Sequence, residues 1–268
     1  MEKIAFLGAG KMASAIVRGL IESGAIAAPD IACLGGNGTS ARQLAQDTGI
    51  RHATSTADLL DGADVLVLAC KPQHFKQLDP GLGTTLTSGK LVLSVLAGFT
   101  AERLAAAFPN ARAVAAVMPN TPAQVRAGIT AWTAPATLPV SDADLVGKIF
   151  GCLGKVVRVE APLMDVVSAT SGSGPGFFFE LVNAFEHAAV GSGLPPDTAA
   201  LLVRETFAGA AKLLKKTNAT PVALRNAVTS PNGSTLAGLQ VFERHHMHRI
   251  FQEVIAASVA RTRELGKM

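Results

Sequence analysis

The chain contains no tyrosine and a single tryptophan, so a tyrosine phenol as proton donor is excluded at the outset. Charge is sparse as well: 16% of residues are Asp, Glu, Lys or Arg, and the net charge is a mild +4. With 49% apolar residues, that scarcity rules out a disordered chain. No dense Lys/Arg tract and no interleaving of aromatic with basic residues is present, so nucleic acid is not an expected partner. Cysteine is scarce and odd in number. Cys33, Cys70 and Cys152 lie far apart without metal-binding spacing, which fits reduced thiols in a cytoplasmic protein. No apolar run is long enough to span a bilayer, so no membrane is expected. Ala25-Ile-Ala27 loosely resembles a signal-cleavage site, but Lys11, Arg18 and Glu22 interrupt the apolar core that a signal needs, and the segment reads as mature protein.

What is present begins with the first twenty residues. Lys3-Ile-Ala-Phe-Leu7 is an apolar run of strand length. Gly8-Ala-Gly10-Lys-Met-Ala13 follows at once, and Ala13, Ile16, Val17, Leu20 and Ile21 then recur at helical spacing up to a stop at Gly24. Strand, glycine turn and helix open a dinucleotide-binding βαβ unit. Gly8 permits the tight turn, Gly10 lets the backbone approach a pyrophosphate, and Ala13 is small enough for helix and strand to pack. Lys11 and Met12 stand in the first turn, where free N–H groups and the helix dipole favour an anion. A diphosphate ligand also suffices to explain the positive charge.

The 268 residues suffice for one large or two modest domains. Asp30-Ile-Ala-Cys-Leu34 reads as a second strand, ending in Gly35-Gly-Asn-Gly38. No Asp or Glu stands there to bond the ribose of NAD. Asn37, Thr39, Ser40 and Arg42 offer hydroxyls, an amide and a cation instead, which suits a 2′-phosphate, so NADPH is expected over NADH. Helices over 39–48, 56–61 and 101–108 alternate with strands over 51–53, 64–69, 91–95 and 113–117. Such alternation implies a doubly wound, mostly parallel sheet, with ligands beyond the C-terminal strand ends. Three of those ends carry unusual text: Cys70-Lys-Pro-Gln73, Leu96-Ala-Gly98 and Met118-Pro-Asn-Thr-Pro-Ala123. Prolines make such loops rigid, a firm floor for a nicotinamide ring. Lys71 either meets a phosphate or ribose or is simply solvated. Residues 128–133 and 156–159 read as further edge strands with a helix over 141–153 between them, so residues 1–161 form the nucleotide-binding domain.

From 162 to 268 the pattern is helical throughout. An apolar turn or two over 163–169 is broken by Ser171-Gly-Ser-Gly-Pro-Gly176, and a long apolar helix follows over 177–190. Phe177, Phe178 and Phe179 read as core or subunit interface. Thr220-Pro221 is a helix entrance, and helices over 198–214 and 248–265 complete the set. Thr229-Ser-Pro-Asn-Gly-Ser-Thr-Leu-Ala-Gly238 is the second focal stretch: a turn at 230–233 feeds a helix capped by Ser234 or Thr235. Its backbone N–H groups suit a carboxylate; the competing reading is an ordinary capped turn. Among His245, His246 and His248 only the first and last share a helix face, without a carboxylate or Cys cluster, so no metal site is expected.

These motifs together resemble Δ1-pyrroline-5-carboxylate reductase along essentially the whole chain. The resemblance is carried by Gly8-Ala-Gly10-Lys-Met12, Val67-Leu-Ala-Cys-Lys71-Pro72-Gln73, Met118-Pro-Asn120-Thr-Pro122, Ser171-Gly-Ser-Gly-Pro175 and Val228-Thr-Ser-Pro-Asn-Gly-Ser-Thr235. It implies NAD(P)H-dependent reduction of a cyclic imine carboxylate to L-proline, the last step of proline biosynthesis. It also implies an all-α dimerisation domain, dimers that assemble into decamers, and an active site at the dimer interface. By position, Ser230, Gly233, Ser234 and Thr235 correspond to the loop holding the substrate carboxylate, Thr235 reaches the ring nitrogen, and Ser173 and Gly174 belong to the substrate side. The cofactor side comprises Gly8, Gly10, Lys11, Met12, Gly35, Asn37, Thr39, Thr56, Ala69, Cys70, Lys71, Pro72, Ala97, Met118, Pro119 and Asn120. The chain departs from the family pattern at Thr56, often Asn beside the adenine ribose, at Gly176, usually Ala, and at Phe177, often Tyr. A related β-hydroxyacid dehydrogenase would place a catalytic Lys on the first long helix of the second half, and 177–183 contains none. A reductase of another cyclic imine fits the same loop, and a sensor that binds nucleotide without chemistry would not need it. Positioning does most of the work in such a reaction, since a protonated imine already accepts hydride readily.

Overall fold

The computed structural model describes residues 2–36, 39–71, 75, 80–135 and 138–267. Its sheet is made by the short apolar runs, too brief for helices: β1 (Ile4–Leu7), β2 (Ile31–Leu34), β3 (Arg51–His52), β4 (Val65–Leu68), β5 (Leu91–Ser94), β6 (Ala113–Met118), β7 (Gly128–Thr133) and β8 (Gly154–Arg158). They lie in the order β3-β2-β1-β4-β5-β6-β7-β8, parallel except for the antiparallel pair β6–β7. The order reverses between β1 and β4, the topological switch point at which open α/β sheets bind ligands. There the two strands run in register, Ile4 opposite Val65 and Leu7 opposite Leu68.

Side chains alternate across each strand, so the sheet builds two cores. Ile4, Phe6, Val65, Val67, Leu91 and Leu93 face one layer, covered by α1 (Lys11–Glu22), α2 (Ser40–Thr48) and α5 (Val140–Gly151). Ala5, Leu7, Leu66, Leu68 and Val92 face the other, covered by α3 (Thr56–Leu60) and α4 (Ala101–Ala107). The helices present the complementary stripes: Ala13, Ile16, Val17 and Leu20 of α1 are all buried. Each fully buried Leu or Phe contributes about 1.5–3 kcal/mol relative to exposure. Both faces being covered is what keeps a parallel sheet out of water.

Two expectations about the sheet need correction. The segment 128–133 is not an edge, because β7 pairs with β6 on one side and β8 on the other. The rim is β8, whose Lys155 and Arg158 are exposed, as charged edge strands commonly are. Nor does the Ser/Gly stretch break the chain. After a 3-10 turn at Ala161–Leu163 come α6 (Met164–Val167), a π-turn at Ser168–Gly172 and α7 (Gly174–Gly191). The wider π-turn absorbs the small residues without interrupting the helical path, and α7 starts three residues before the expected 177.

The chain divides into two compact units, Met1–Ser173 with Ser258–Met268, and Gly174–Ala257. Residues 161–173 pack within the sheet unit: Ala169 is fully buried and Met164 leans on the second core. The end of α11 (Met247–Lys267) also belongs to that unit. The other unit consists of α7, α8 (Pro196–Thr217), α9 (Pro221–Ala227), α10 (Ser234–Arg244) and the first half of α11. Within it α7 and α8 pack side by side, with Phe178 and Phe185 edge-on to Phe207 at 5.7 and 5.2 Å and Arg204 bonded to Glu186 at 2.8 Å. Only Ala199 and Val203 of this unit are buried, while Phe179, Leu201, Leu202 and Ile250 stand exposed. No helix among the described residues is long and apolar enough to cross a membrane.

One polar tie holds the sheet unit's layers. Arg112, at the foot of β6, donates to Asp142 of α5 through Nη2 at 2.9 Å and Nε at 3.1 Å, and through Nη1 to the carbonyls of Gly89 and Asp64. The Asp142 side chain is only 5% exposed, so removing its partner strands a buried carboxylate. Arg112→Ala is expected to cost about 2–4 kcal/mol of stability in urea unfolding. A loss below about 1 kcal/mol would mean that the pair only breaks even with solvent.

Candidate active site

The turn after β1 is tighter than its sequence alone reveals. Gly8 adopts φ +116°, and a Cβ built on it would stand 2.4 Å from the carbonyl carbon and oxygen of Ala69, just past β4. The two loops of the switch point therefore touch backbone to backbone, and only glycine fits. At Gly10, in contrast, a Cβ would meet nothing within 4 Å. Gly10 is the N-cap of α1 in extended conformation, with no side-chain cap. The first bond of the helix runs from Ser14 N–H to the Gly10 carbonyl at 2.9 Å, leaving the N–H groups of Lys11, Met12 and Ala13 without partners among the described residues. An open space over unsatisfied N–H groups at the positive end of a helix dipole is what a diphosphate requires.

The remaining cofactor candidates gather along the same edge of the sheet. Gly35 follows β2, Thr39 is the N-cap of α2, Thr56 opens α3, Ala69, Cys70 and Lys71 follow β4, Ala97 follows β5, Met118 closes β6, and Pro119 and Asn120 follow it. Asn37 and Pro72 lie outside the described residues. A groove of about 630 Å³ runs from Gly10 and Lys11 to Ser40 and Gln43. Among the arginines of this region, Arg18 is paired with Asp47 at 2.7 Å, Arg51 with Asp58 and Arg126 with Glu22. Arg42 and Lys11 have no carboxylate partner among the described residues, and Thr39 makes no capping bond. Unspent donors thus surround the end of β2, where no carboxylate stands.

Asn120 does structural work. Its Oδ1 accepts the Ile129 N–H at 3.0 Å and ties the end of β6 to the start of β7, leaving only its amide nitrogen for a ligand. Ser94 is a site-shaping residue that the sequence pattern hides: its hydroxyl accepts the Leu96 N–H at 3.3 Å and bends the chain out of β5 toward Ala97. A hydroxyl inside an otherwise apolar strand run was the available signal. A cavity of about 320 Å³ opens at the ends of β5 and β6, lined by Leu96, Gly98, Met118 and the buried Ser168 of the π-turn. Desolvation pushes the thiols of Cys33 and Cys70 upward and that of Cys152 to about 11, so all three are protonated at neutral pH and poor nucleophiles. Ser173, taken for the substrate side, receives a hydrogen bond from the Ser258 hydroxyl at 3.3 Å.

The helical unit holds a second turn of the same kind. Ser230-Pro-Asn-Gly233 closes with the Gly233 N–H on the Ser230 carbonyl at 3.1 Å, and Asn232 takes the left-handed φ of +59° that the third turn residue needs. A Cβ on Gly233 would lie 2.4 Å from Ser230 Oγ. The expected cap is displaced by one residue: Gly233 itself is the N-cap of α10, without a side-chain bond, and Ser234 and Thr235 are its first two residues. Their hydroxyls, spared from capping, have no partners among the described residues. The N–H groups of Ser234, Thr235 and Leu236 are likewise unbonded, since the first helical bond is Ala237 N–H to the Gly233 carbonyl at 3.2 Å. Gly174 opens α7 in this unit. Among the described residues no group of three His, Cys, Asp or Glu could hold a metal ion.

Comparison with known proteins matches residues 161–265 to the family model for pyrroline-5-carboxylate reductase dimerisation and residues 3–98 to that for NADP oxidoreductase, coenzyme F420-dependent. A pyrroline-5-carboxylate reductase of Methanosarcina acetivorans is 34% identical over 266 residues, covering 99% of this chain and 98% of that protein. The structure of a pyrroline-5-carboxylate reductase from Coxiella burnetii superposes with a TM-score of 0.91 at 32% identity, covering 100% of this chain and 99% of the other. The pyrroline carboxylate reductase of Plasmodium falciparum, crystallised with NADP bound, shares the fold at a TM-score of 0.87 and 24% identity, over 99% and 98% of the two chains. Likeness at this level runs through both units, from the glycine turn to the last helix, and the chain belongs to the pyrroline-5-carboxylate reductase family.

Proposed function

We propose that the protein reduces 1-pyrroline-5-carboxylate to L-proline with hydride from NADPH, working as a homodimer that assembles further into a decamer. The observation that carries this reading is the pair of uncapped helix starts at Gly10 and Gly233, one suited to a diphosphate and the other to a carboxylate. Residues 1–161 serve as the nucleotide domain and 162–268 as the substrate-binding and dimerisation domain. The exposed phenylalanines and leucines of the helical unit support a partner subunit, and three free thiols support a reducing cytoplasmic setting.

When bound, the nicotinamide supplies the hydride. The N–H groups of Lys11 and Met12 hold the diphosphate. Thr39, Ser40 and Arg42 would hold the 2′-phosphate, and Thr56 the adenine ribose. Gly8 and Gly35 keep the backbone close. Ala69, Cys70 and Lys71 would hold the second ribose, and Ala97, Met118, Pro119 and Asn120 would form a floor for the nicotinamide. Ser230, Gly233 and Ser234 hold the substrate carboxylate, with Ser173 and Gly174 beside the ring. Thr235 bonds the ring nitrogen through its hydroxyl, too weak an acid to be the required proton source, so the proton arrives with the substrate or from water. Holding the imine carbon against the hydride donor then supplies most of the barrier reduction.

Following NADPH and NADH oxidation separately with pyrroline-5-carboxylate tests the whole reading. Oxidation of neither would overturn the activity, and a strong preference for NADH would overturn only the choice of cofactor. Thr235→Ala is expected to lower kcat/KM at least about tenfold with NADPH affinity retained; unaltered steady-state kinetics would remove Thr235 from the reaction. Arg42→Ala is expected to raise KM for NADPH by about tenfold while moving that for NADH less than about twofold, since only the former has a 2′-phosphate to pair. An equal rise for both cofactors would dissociate Arg42 from that phosphate.

A further inference from the structure

The end of α11 lands on the loop between β5 and α4. Gly98, at φ +78°, and Gly266 meet there without side chains. A Cβ on Gly98 would stand 2.9 Å from the Gly266 nitrogen, and one on Gly266 would stand 2.8 Å from the Gly98 carbonyl oxygen. Backbone cannot yield as a flexible side chain can, so the contact requires glycine on both sides. Arg103 fastens it. Its Nη1 donates to the Gly266 carbonyl at 2.7 Å, satisfying one of the acceptors that a helix end leaves over. The same guanidinium lies 4.1 Å above the ring of Phe99, the buried neighbour of Gly98. Its backbone N–H bonds the hydroxyl of Thr100, the cap of α4, at 3.1 Å. Further back on α11, Arg263 holds Asp165 of α6 at 3.1 Å. The loop is thus gripped from outside by α11 and from inside by Ser94.

We propose that the last turn of α11 is a latch that sets the position of the Leu96–Gly98 loop, with Gly98, Arg103 and Gly266 as positioning residues for hydride transfer. The proposal rests on the reading that Ala97 borders the nicotinamide. A slack loop loosens that end of the cofactor while the diphosphate and 2′-phosphate grips at Gly10 and Thr39 stay as they are. Transfer depends steeply on distance, so the effect belongs in kcat rather than in affinity. A latch that only stabilised the fold would lower thermal stability and leave kcat of the folded enzyme unchanged.

Gly266→Val, Arg103→Ala and the conservative Arg103→Lys, made in the full chain, test this. Three quantities are read: kcat with pyrroline-5-carboxylate, the calorimetric Kd for NADPH, and hydrogen exchange of amides 96–100. Gly266→Val and Arg103→Ala are expected to lose about tenfold in kcat with Kd within about threefold, and Arg103→Lys to recover at least half of the loss. Exchange at 96–100 is expected to quicken by about tenfold in the first two variants. Unchanged kcat, a Kd that weakens in step with kcat, or unchanged exchange would each overturn the latch. Should Gly266→Val not fold, Arg103→Ala decides alone. Should the wild type turn over no imine, the functional reading fails, and the exchange data decide whether the latch holds the loop.

Discussion

Everything at the nucleotide edge depends on two backbones touching. β1 and β4 run parallel and in register, so the residue after each strand faces the residue after the other. The Ala69 N–H bonds the Leu7 carbonyl at 2.9 Å and the Gly8 N–H bonds the Leu34 carbonyl at 2.7 Å, which sews the ends of β1, β2 and β4 into one seam. Any side chain at Gly8 would have to occupy the Ala69 carbonyl. A larger residue would pry the β1 turn upward and tilt the start of α1, whose N–H groups would then point away from the crevice. The missing Cβ is therefore a condition of that close approach and not a sign of a flexible loop.

The same device appears a second time in the helical unit. Gly10 and Gly233 are both N-caps with φ near −79° and extended ψ, and neither helix start receives a side-chain cap. Ser55, Thr100 and Thr220 cap their helices through side-chain bonds, while Thr39 of α2 and the prolines before α5 and α8 make none; α1 and α10 differ from all of these in having glycine at the cap. Glycine at that place has a physical meaning. A Ser or Asp at the cap would satisfy one free N–H group and set an oxygen where an incoming anion must go. Glycine forgoes little helix stability, only a few tenths of a kcal/mol by comparison with Ser or Asp, and leaves that position open. A chain with few charges thus offers two helix starts whose backbone groups suit an anion without a side-chain cation.

How far this was legible depends on the range of the interaction. The strands and helices of the sheet unit follow from apolar runs and helical periodicity, and their observed ends differ from the expected ones by a residue or two. The turns at Gly8 and at Ser230–Gly233 are local too, so their residues announce them. What is decided by distant partners is not announced. Whether β7 is an edge depends on β8, which arrives only after α5. That Ser234 and Thr235 do not cap α10 depends on where the turn closes, one residue earlier than the hydroxyls suggest. The π-turn at Ser168–Gly172 has the composition of a break and the geometry of a helix. Gly98 and Gly266 each look like ordinary loop or tail glycines until the fold sets them face to face.

The helical unit carries the carboxylate-suited turn on a scaffold that cannot bury its own apolar surface. Its four-fold aromatic and aliphatic display (Phe179, Leu201, Leu202 and Ile250) lies open while only Ala199 and Val203 are buried. A unit with so small an interior gains too little from burial to offset the entropy of ordering its helices. Its stability must come from covering those side chains, and in a family whose matching domain is named for dimerisation the cover is a second copy. The turn before α10 is thus carried by a unit that depends on that cover. The nucleotide turn has no such dependence, because its seam is closed within a sheet with two buried cores.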